Sequence, residues 1–221
     1  MSKKSFIIDF DNTIGFFDQI IFLINIVEST YNYSLNEIQI GQLIDYYPNI
    51  FRPKLYDIIK LILYFQNNET VRFFILYTCN KKPLFVEAIV KYIEKQIHYT
   101  PLFNYILYEK TKYKNLNTIL CNIQEENINT HILCFIDNRF FHYKNNTYDY
   151  KYIKCENYIY HYETDEILNL FPYHLFERIN KNIITNYFKK QKKKRKKYTL
   201  PISLYEMNSS FILQSIRNFI S

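Results

Sequence analysis

Apolar and polar positions alternate along the chain in a regular order. Phe6-Ile7-Ile8 is a short apolar run that stops at Asp9-Phe10-Asp11-Asn12-Thr13, which predicts a buried parallel strand with two carboxylates at its C-terminal end. Phe17, Ile20, Ile21, Ile24 and Val27 then recur at helical spacing, giving an amphipathic helix ending near Ser29. Ser34 and Glu37 match a capping box for a second helix from about Leu35 to Tyr46, which Pro48-Asn49 breaks. Arg52-Pro53 opens a third helix with Leu55, Ile58, Ile59, Ile62 and Leu63 on one face, closed by Asn67-Asn68. A second apolar strand, Arg72 to Tyr77, ends at Thr78. Pro83 opens a helix carrying Phe85, Ala88, Ile89 and Tyr92; Tyr105 to Tyr108 is a short strand; Lys114 to Ile123 is helical. The run His131 to Ile136 is another strand ending in an acid, Asp137, followed by Asn138. Tyr152 to Cys155 and a helix from Thr164 to Leu170 complete the series. Strands alternating with helical segments predict an α/β fold, Rossmann-like, with a central parallel sheet, helices on both faces, and a small helical insert at about residues 16–50. The pattern places the globular domain in residues 1–180, followed in 181–221 by a basic segment and a short C-terminal helix that Ser209-Ser210 can cap, bearing Ile212, Ile216 and Phe219.

Composition supports a substantial core: 48% of the 221 residues are hydrophobic and 19% aromatic. Two Gly, no Trp and abundant Asn, Lys, Ile, Tyr and Phe are the bias of A+T-rich coding, so single Tyr or Asn positions carry little weight. The four cysteines, Cys79, Cys121, Cys134 and Cys155, lack C-x-x-C spacing, which gives zinc and redox motifs no support and fits a reducing intracellular compartment. Asp9 and Asp11 interrupt any signal-peptide core, and the apolar stretch Ile20 to Val27 is too short to span a bilayer, so no membrane association is expected. The formal charge of +7 resides in one place. Residues 189–197, KKQKKKRKK, carry eight of the 28 basic residues, and the other 20 face 21 acidic ones. Such a run is a nuclear address first, a nucleic-acid contact second, or a solvated linker; without interleaved aromatics it does not suit single-strand stacking.

Three predicted strands thus end in polar chemistry, at Asp9 and Asp11, at Thr78, and at Asp137 and Asn138, with Lys114 between the last two. Phosphoryl transfer needs these residue types: a carboxylate nucleophile, a neighbouring proton donor, hydroxyl and ammonium groups on the phosphate oxygens, and acids for a hard cation. Here the sequence resembles the haloacid dehalogenase superfamily of phosphatases, closest to those acting on the C-terminal repeat domain of RNA polymerase II, the small CTD phosphatase type. The D-x-D-x-T of that family is matched by Asp9-Phe10-Asp11-Asn12-Thr13, its R-P by Arg52-Pro53, and its threonine-ended strand by Ile75-Leu76-Tyr77-Thr78. Its Y-x-K-D-L is matched in shortened form by Tyr113-Lys114-Asn115-Leu116, and its D-N-S-P in part by Asp137-Asn138-Arg139-Phe140. The resemblance spans about residues 5–172. It departs in lacking the final S-P and in a helical segment at 16–50 where the family commonly has a strand-rich insert, a difference that bears on substrate choice.

The resemblance implies a Mg²⁺-dependent phosphomonoester hydrolase. In it Asp9 is the nucleophile that forms an aspartyl-phosphate, and Asp11 the acid that protonates the leaving group and then activates water. Thr78 and Lys114 hold phosphate oxygens, while Asp9, the Asp11 carbonyl and Asp137 hold the metal, with Asn138 as a further ligand or a water-positioning group. Lys110 and Lys112 lie in the same run as Lys114, which is the one that matches the family position. The substrate implied first is a phosphoserine or phosphothreonine protein; a nucleic-acid end or small metabolite is the alternative, and an inactive binding module of the same fold a third. His131, His142, His161 and His174 have no ligand spacing.

Overall fold

The computed structural model describes residues 4–111, 114–123, 132–139, 150–192 and 199–221. Five strands form one all-parallel sheet: β1 (Lys4–Ile8), β2 (Val71–Thr78), β3 (Tyr105–Tyr108), β4 (Ile132–Asp137) and β5 (Tyr150–Lys154), in the order β3-β2-β1-β4-β5. Eight α-helices accompany them among the described residues: α1 (Asp18–Tyr31), α2 (Glu37–Ile44), α3 (Leu55–Asn67), α4 (Pro83–Ile97), α5 (Leu116–Asn122), α6 (Thr164–Leu170), α7 (Lys181–Lys192) and α8 (Ile202–Ile220). This is the Rossmann-like α/β architecture that the alternation predicts.

The first strand is central because it is apolar on both faces. Phe6 and Ile8 point into a large core with Phe74 and Leu76 of β2 and Cys134 and Ile136 of β4, while Ile7 points the other way with Ile75 and Phe135. Helices cover the two faces unequally. α1 to α4 and α6 to α8 all contribute to the large core; on the opposite face Leu116 and Ile119 of α5 pack on the sheet. The segment 16–50 buries Ile20, Leu23, Ile24, Ile40 and Leu43 in the large core, and α2 rests on α4, so these helices belong to a layer of the fold. α7 adds Ile184 and Phe188, and α8 adds Ile212, Ile216 and Phe219 to the same core.

Sheet register fixes the edge that matters for chemistry. Ile8 pairs with Leu76 on one side and with Ile136 on the other, so β1, β2 and β4 end nearly level. From β1 the chain winds outward through β2 and β3, then returns to place β4 on the other side of β1. Strand order therefore reverses between β1 and β4, and the crevice beyond their carboxyl ends is where open α/β sheets bind ligands.

Several local expectations are corrected. The second helix is capped by Asn36 and not by Ser34: the Asn36 side chain accepts from Gln39 N (3.0 Å) and the Gln39 side chain from Asn36 N (3.1 Å). A nearby N-x-x-Q does the same reciprocal bonding as S-x-x-E. α3 begins at Leu55 with Lys54 as its N-cap, leaving Arg52-Pro53 in the approach, and α5 begins at Leu116, two residues after Lys114. Ser209 and Ser210 do not cap the last helix. They lie inside α8, which Pro201 precedes, and the Ser210 hydroxyl donates back to Glu206 O (2.9 Å).

Candidate active site

The turn after β1 builds the site. Asp9 N donates to Ile136 O (3.0 Å), extending the pairing with β4 by one residue before the chain leaves the sheet. Asn12 then adopts a left-handed conformation (φ 61°), which asparagine tolerates better than most residues. That reversal brings the Thr13 hydroxyl back to donate to Asp9 Oδ2 (3.0 Å). Gly15 completes the turn: a Cβ there would stand 2.5 Å from the Ile50 carbonyl oxygen, which accepts from Phe16 N (2.7 Å), so only glycine lets the two backbones pass.

Lys114 bridges the strand ends. Its Nζ donates to Asp9 Oδ1 (2.5 Å) and Asp137 Oδ2 (2.6 Å), and all three side chains are buried. Asn115 N donates to the Tyr77 hydroxyl (2.8 Å), and the ammonium stands 5.5 Å above the Tyr77 ring, so β2 aims a lysine that arrives from the loop before α5. Burial alone would drive the Lys114 pKa down; Asp9 and Asp137 outweigh it and hold the ammonium above its ordinary value. Asp137 also accepts from Arg139 N (2.8 Å) at Oδ1. The Asn138 amide fits best with its nitrogen donating to Asp9 Oδ2 (3.1 Å) and Asp137 Oδ1 (3.2 Å), because its carboxylate and hydroxyl neighbours then each receive a proton.

Asp11 faces the same cavity from across the turn. Asn80 Nδ2 donates to both its carboxylate oxygens (3.0 and 3.2 Å). Asn80 is itself locked: its Oδ1 accepts from Lys82 N (2.9 Å), and its own N donates to Thr78 Oγ1 (2.9 Å). Burial, then the negative charge of Asp9, pushes the Asp11 pKa up to about 6, partly offset by the Asn80 bond. Asp137 is likewise pushed up to about 6, by burial and then Asp9, against the pull of Lys114. Burial is the first cause of both shifts, and three carboxylates share the one buried ammonium of Lys114.

The cavity between these groups has a volume of about 350 Å³ and is lined by Asp9, Asp11, Cys79, Lys81, Lys110, Thr111, Lys114, Asp137 and Arg139. Of the residues expected from sequence, Asp9, Asp11, Lys114 and Asp137 meet here, and Asn138 lies against Asp9. Thr78 does not line the cavity. It is fully buried, and its hydroxyl shapes the Asn80 turn instead. Tyr113 and Phe140, which belong to the motif matches, and Lys112, His131 and His142 lie outside the described residues, as do residues 193–197 of the basic run.

Sequence reasoning missed Asn80, Lys81 and Arg139 on the cationic rim, and the role of Arg52; Lys110 it weighed only as an alternative to Lys114. An asparagine two residues beyond a strand-end threonine is a turn signal, which could have flagged Asn80; the partners of Arg52 are mostly backbone carbonyls, which leave no trace in sequence.

The donor set fits a hard cation. Among the described residues no three His, Cys, Asp or Glu side chains surround one point as a ready cage. Asp9 and Asp137 nonetheless offer carboxylate oxygens, and three carboxylates, Asp9, Asp11 and Asp137, face the single ammonium of Lys114. Asn138, expected as a ligand, turns its amide nitrogen to both Asp9 and Asp137 and orients them instead. Mg²⁺ accepts such a sparse set because it keeps several waters. No helix among the described residues is long and apolar enough to cross a membrane. No protein-family model, curated protein or solved structure matches this chain.

Proposed function

We propose that this protein is a phosphomonoester hydrolase of the haloacid dehalogenase type, working through an aspartyl-phosphate on Asp9. The observation that carries the reading is the convergence of Asp9 and Asp11 after β1, Lys114 before α5 and Asp137 at the end of β4, three separate segments, on one cavity at the strand-order reversal. Asp9 is buried and fixed by Lys114, Thr13 and Asn138, so one carboxylate is presented without rotational freedom, as a nucleophile requires. Its oxygen attacks phosphorus, the bond to the ester oxygen breaks, and Asp11 gives that oxygen its proton. The Asp11 carboxylate then takes a proton from water, whose oxygen attacks the phosphorus, and phosphate leaves as Asp9 is regenerated. An acid whose pKa is lifted to about 6 suits both halves near neutral pH. Lys114 stabilises charge on the phosphoryl oxygens. Asp9, Asp137 and the Asp11 carbonyl would hold a Mg²⁺ ion, which would supply further charge stabilisation, with Asn138 orienting the two carboxylates.

The substrate we favour is a phosphoserine or phosphothreonine protein. None of residues 16–50 lines the cavity, so the helical segment does not roof it, which favours a peptide over a small metabolite. The rim of Lys81, Lys110 and Arg139 favours a second reading, a phosphorylated nucleic-acid end, because it offers cations for neighbouring phosphates. The basic run 189–197 would assist either a nuclear location or nucleic-acid contact. The test is a panel of p-nitrophenyl phosphate, phosphopeptides and 5′- and 3′-phosphorylated oligonucleotides, with Mg²⁺ and with EDTA. Mg²⁺-dependent release of phosphate, fastest from phosphopeptides, is expected; no release from any substrate would refute the reading, and preference for oligonucleotides would select the second.

A further inference from the structure

A single buried guanidinium holds the turn that carries Asp11. Arg52 is 2% exposed, and its Nε donates to Thr13 O (2.6 Å). Its Nη2 donates to Asn12 O (3.0 Å) and to Glu156 O (2.5 Å), and its Nη1 to Asn208 Oδ1 (2.9 Å) in α8. The two carbonyls nearest the site thus belong to the left-handed residue Asn12 and its successor, a conformation that costs about 1–3 kcal/mol and persists only where its surroundings hold it. The other two contacts anchor the guanidinium to a second wall. Asn208 Oδ1 also accepts from Glu156 N (3.1 Å), and Tyr158 N donates to Asn12 O (2.8 Å). Tyr205 of α8 packs edge-on against Tyr158 (4.8 Å) and bonds Ile159 through both N and O (3.2 Å each). One turn of α8 therefore clamps residues 156–159, and these, with Arg52, clamp Asn12 and Thr13.

We infer that Arg52 is a positioning residue for the proton transfer at Asp11, and that α8 sets the geometry of the turn at residues 11–13 through Asn208 and Tyr205. The role rests on the phosphatase reading for its catalytic consequence, but the clamp itself does not. Lysine cannot replace arginine here, because oxygens in several directions are met by one rigid planar fork. If the turn shifts, the Asp11 carboxyl leaves Asn80, while Lys114 and Asn138 still hold Asp9. The loss should fall on proton donation more than on binding.

The experiment compares full-length wild type, Arg52→Lys and Asn208→Ala on p-nitrophenyl phosphate and phenyl phosphate, with amide hydrogen exchange of each protein. Phenolate is the poorer leaving group and depends more on a proton from Asp11. The expected result is a kcat loss on the order of 10–100-fold on phenyl phosphate, a smaller one on p-nitrophenyl phosphate, and KM nearly unchanged. Exchange at residues 11–14 should quicken in both variants while β2 and α4 stay protected. Equal losses on the two esters, or unaltered exchange at 11–14, would overturn the inference. Should Arg52→Lys fail to fold, Asn208→Ala decides, since it removes only a half-buried amide from α8. Should wild type hydrolyse neither ester, the phosphatase reading falls, and the exchange of residues 11–14 alone judges the clamp.

Discussion

At the scale of single residues, the site is a concentration of negative charge held by one ammonium. Removing that ammonium while leaving Asp9 and Asp137 buried should cost about 3–5 kcal/mol, the usual penalty of an orphaned buried ion, so Lys114→Ala should melt far below wild type in EDTA and lose turnover. Lys110→Ala and Lys81→Ala, on the exposed rim, should leave the melting temperature unchanged and raise KM. A Lys110 variant costing more than Lys114→Ala would relocate the site. Asp11 makes a stability prediction of the opposite sign. Its folded pKa of about 6 lies above the ordinary 3.8, so between those values the native state binds the proton more tightly than the unfolded chain. The charge penalty is absent below 3.8, grows as pH rises through the window and is complete above about 6. Asp11→Asn should therefore melt higher than wild type above pH 6 without metal, the gap closing toward pH 3.8, while turnover falls on the order of 10²–10⁴. A lower melting temperature at all pH values would contradict the charge argument. Asp9, Asp11, Asp137 and Lys114 were legible in sequence because each pairs a chemistry-bearing side chain with a strand end or a short motif. Thr78 was legible as a strand end only; its hydroxyl is used by the Asn80 turn, a choice decided by backbone geometry.

Among the elements, the strands were the most readable, since a buried parallel strand is an unbroken apolar run bounded by polar residues, as Phe6 to Ile8 and Ile132 to Ile136 are. Helix ends were read less well. Ser34 and Asn36 both suit an N-cap, and the geometry of Gln39 decides for Asn36. Asn36→Ala should destabilise by about 0.5–2 kcal/mol and Ser34→Ala by much less, measured by denaturant unfolding; the reverse order would restore the Ser34 cap. Ser209 and Ser210 misled because serines are favoured at caps, yet α8 extends from Ile202 and places Tyr205, Ser209, Ile212, Ile216 and Phe219 on one buried face.

For the whole molecule, the chain closes on itself. Lys4 Nζ at the start of β1 donates to Ile220 O at the end of α8 (2.8 Å), and Phe6 packs edge-on against Phe219 (5.2 Å). Long-range docking of this kind is invisible to periodicity, which is why the C-terminal segment read as an appendage in sequence. The basic run tethers α8, so its charge is best tested by substitution and not by deletion. Replacing the Lys and Arg residues of 193–197 with Gln should leave hydrolysis of a small aryl phosphate unchanged. If the run binds duplex DNA, the log–log salt dependence of binding should flatten by about 0.9 for each phosphate that the substituted run no longer neutralises. Loss of aryl phosphate hydrolysis in a folded charge variant would mean that the run completes the active site. The central claim, that Asp9 is phosphorylated in the catalytic cycle, is tested most directly by acid-quenching the Asp11→Asn variant during turnover with Mg²⁺ and mapping phosphate by mass spectrometry. One phosphoryl group on the peptide containing Asp9, absent from Asp9→Asn, is the result the account predicts; turnover with no phosphoryl-enzyme, or a phosphoryl group on another residue, would contradict it.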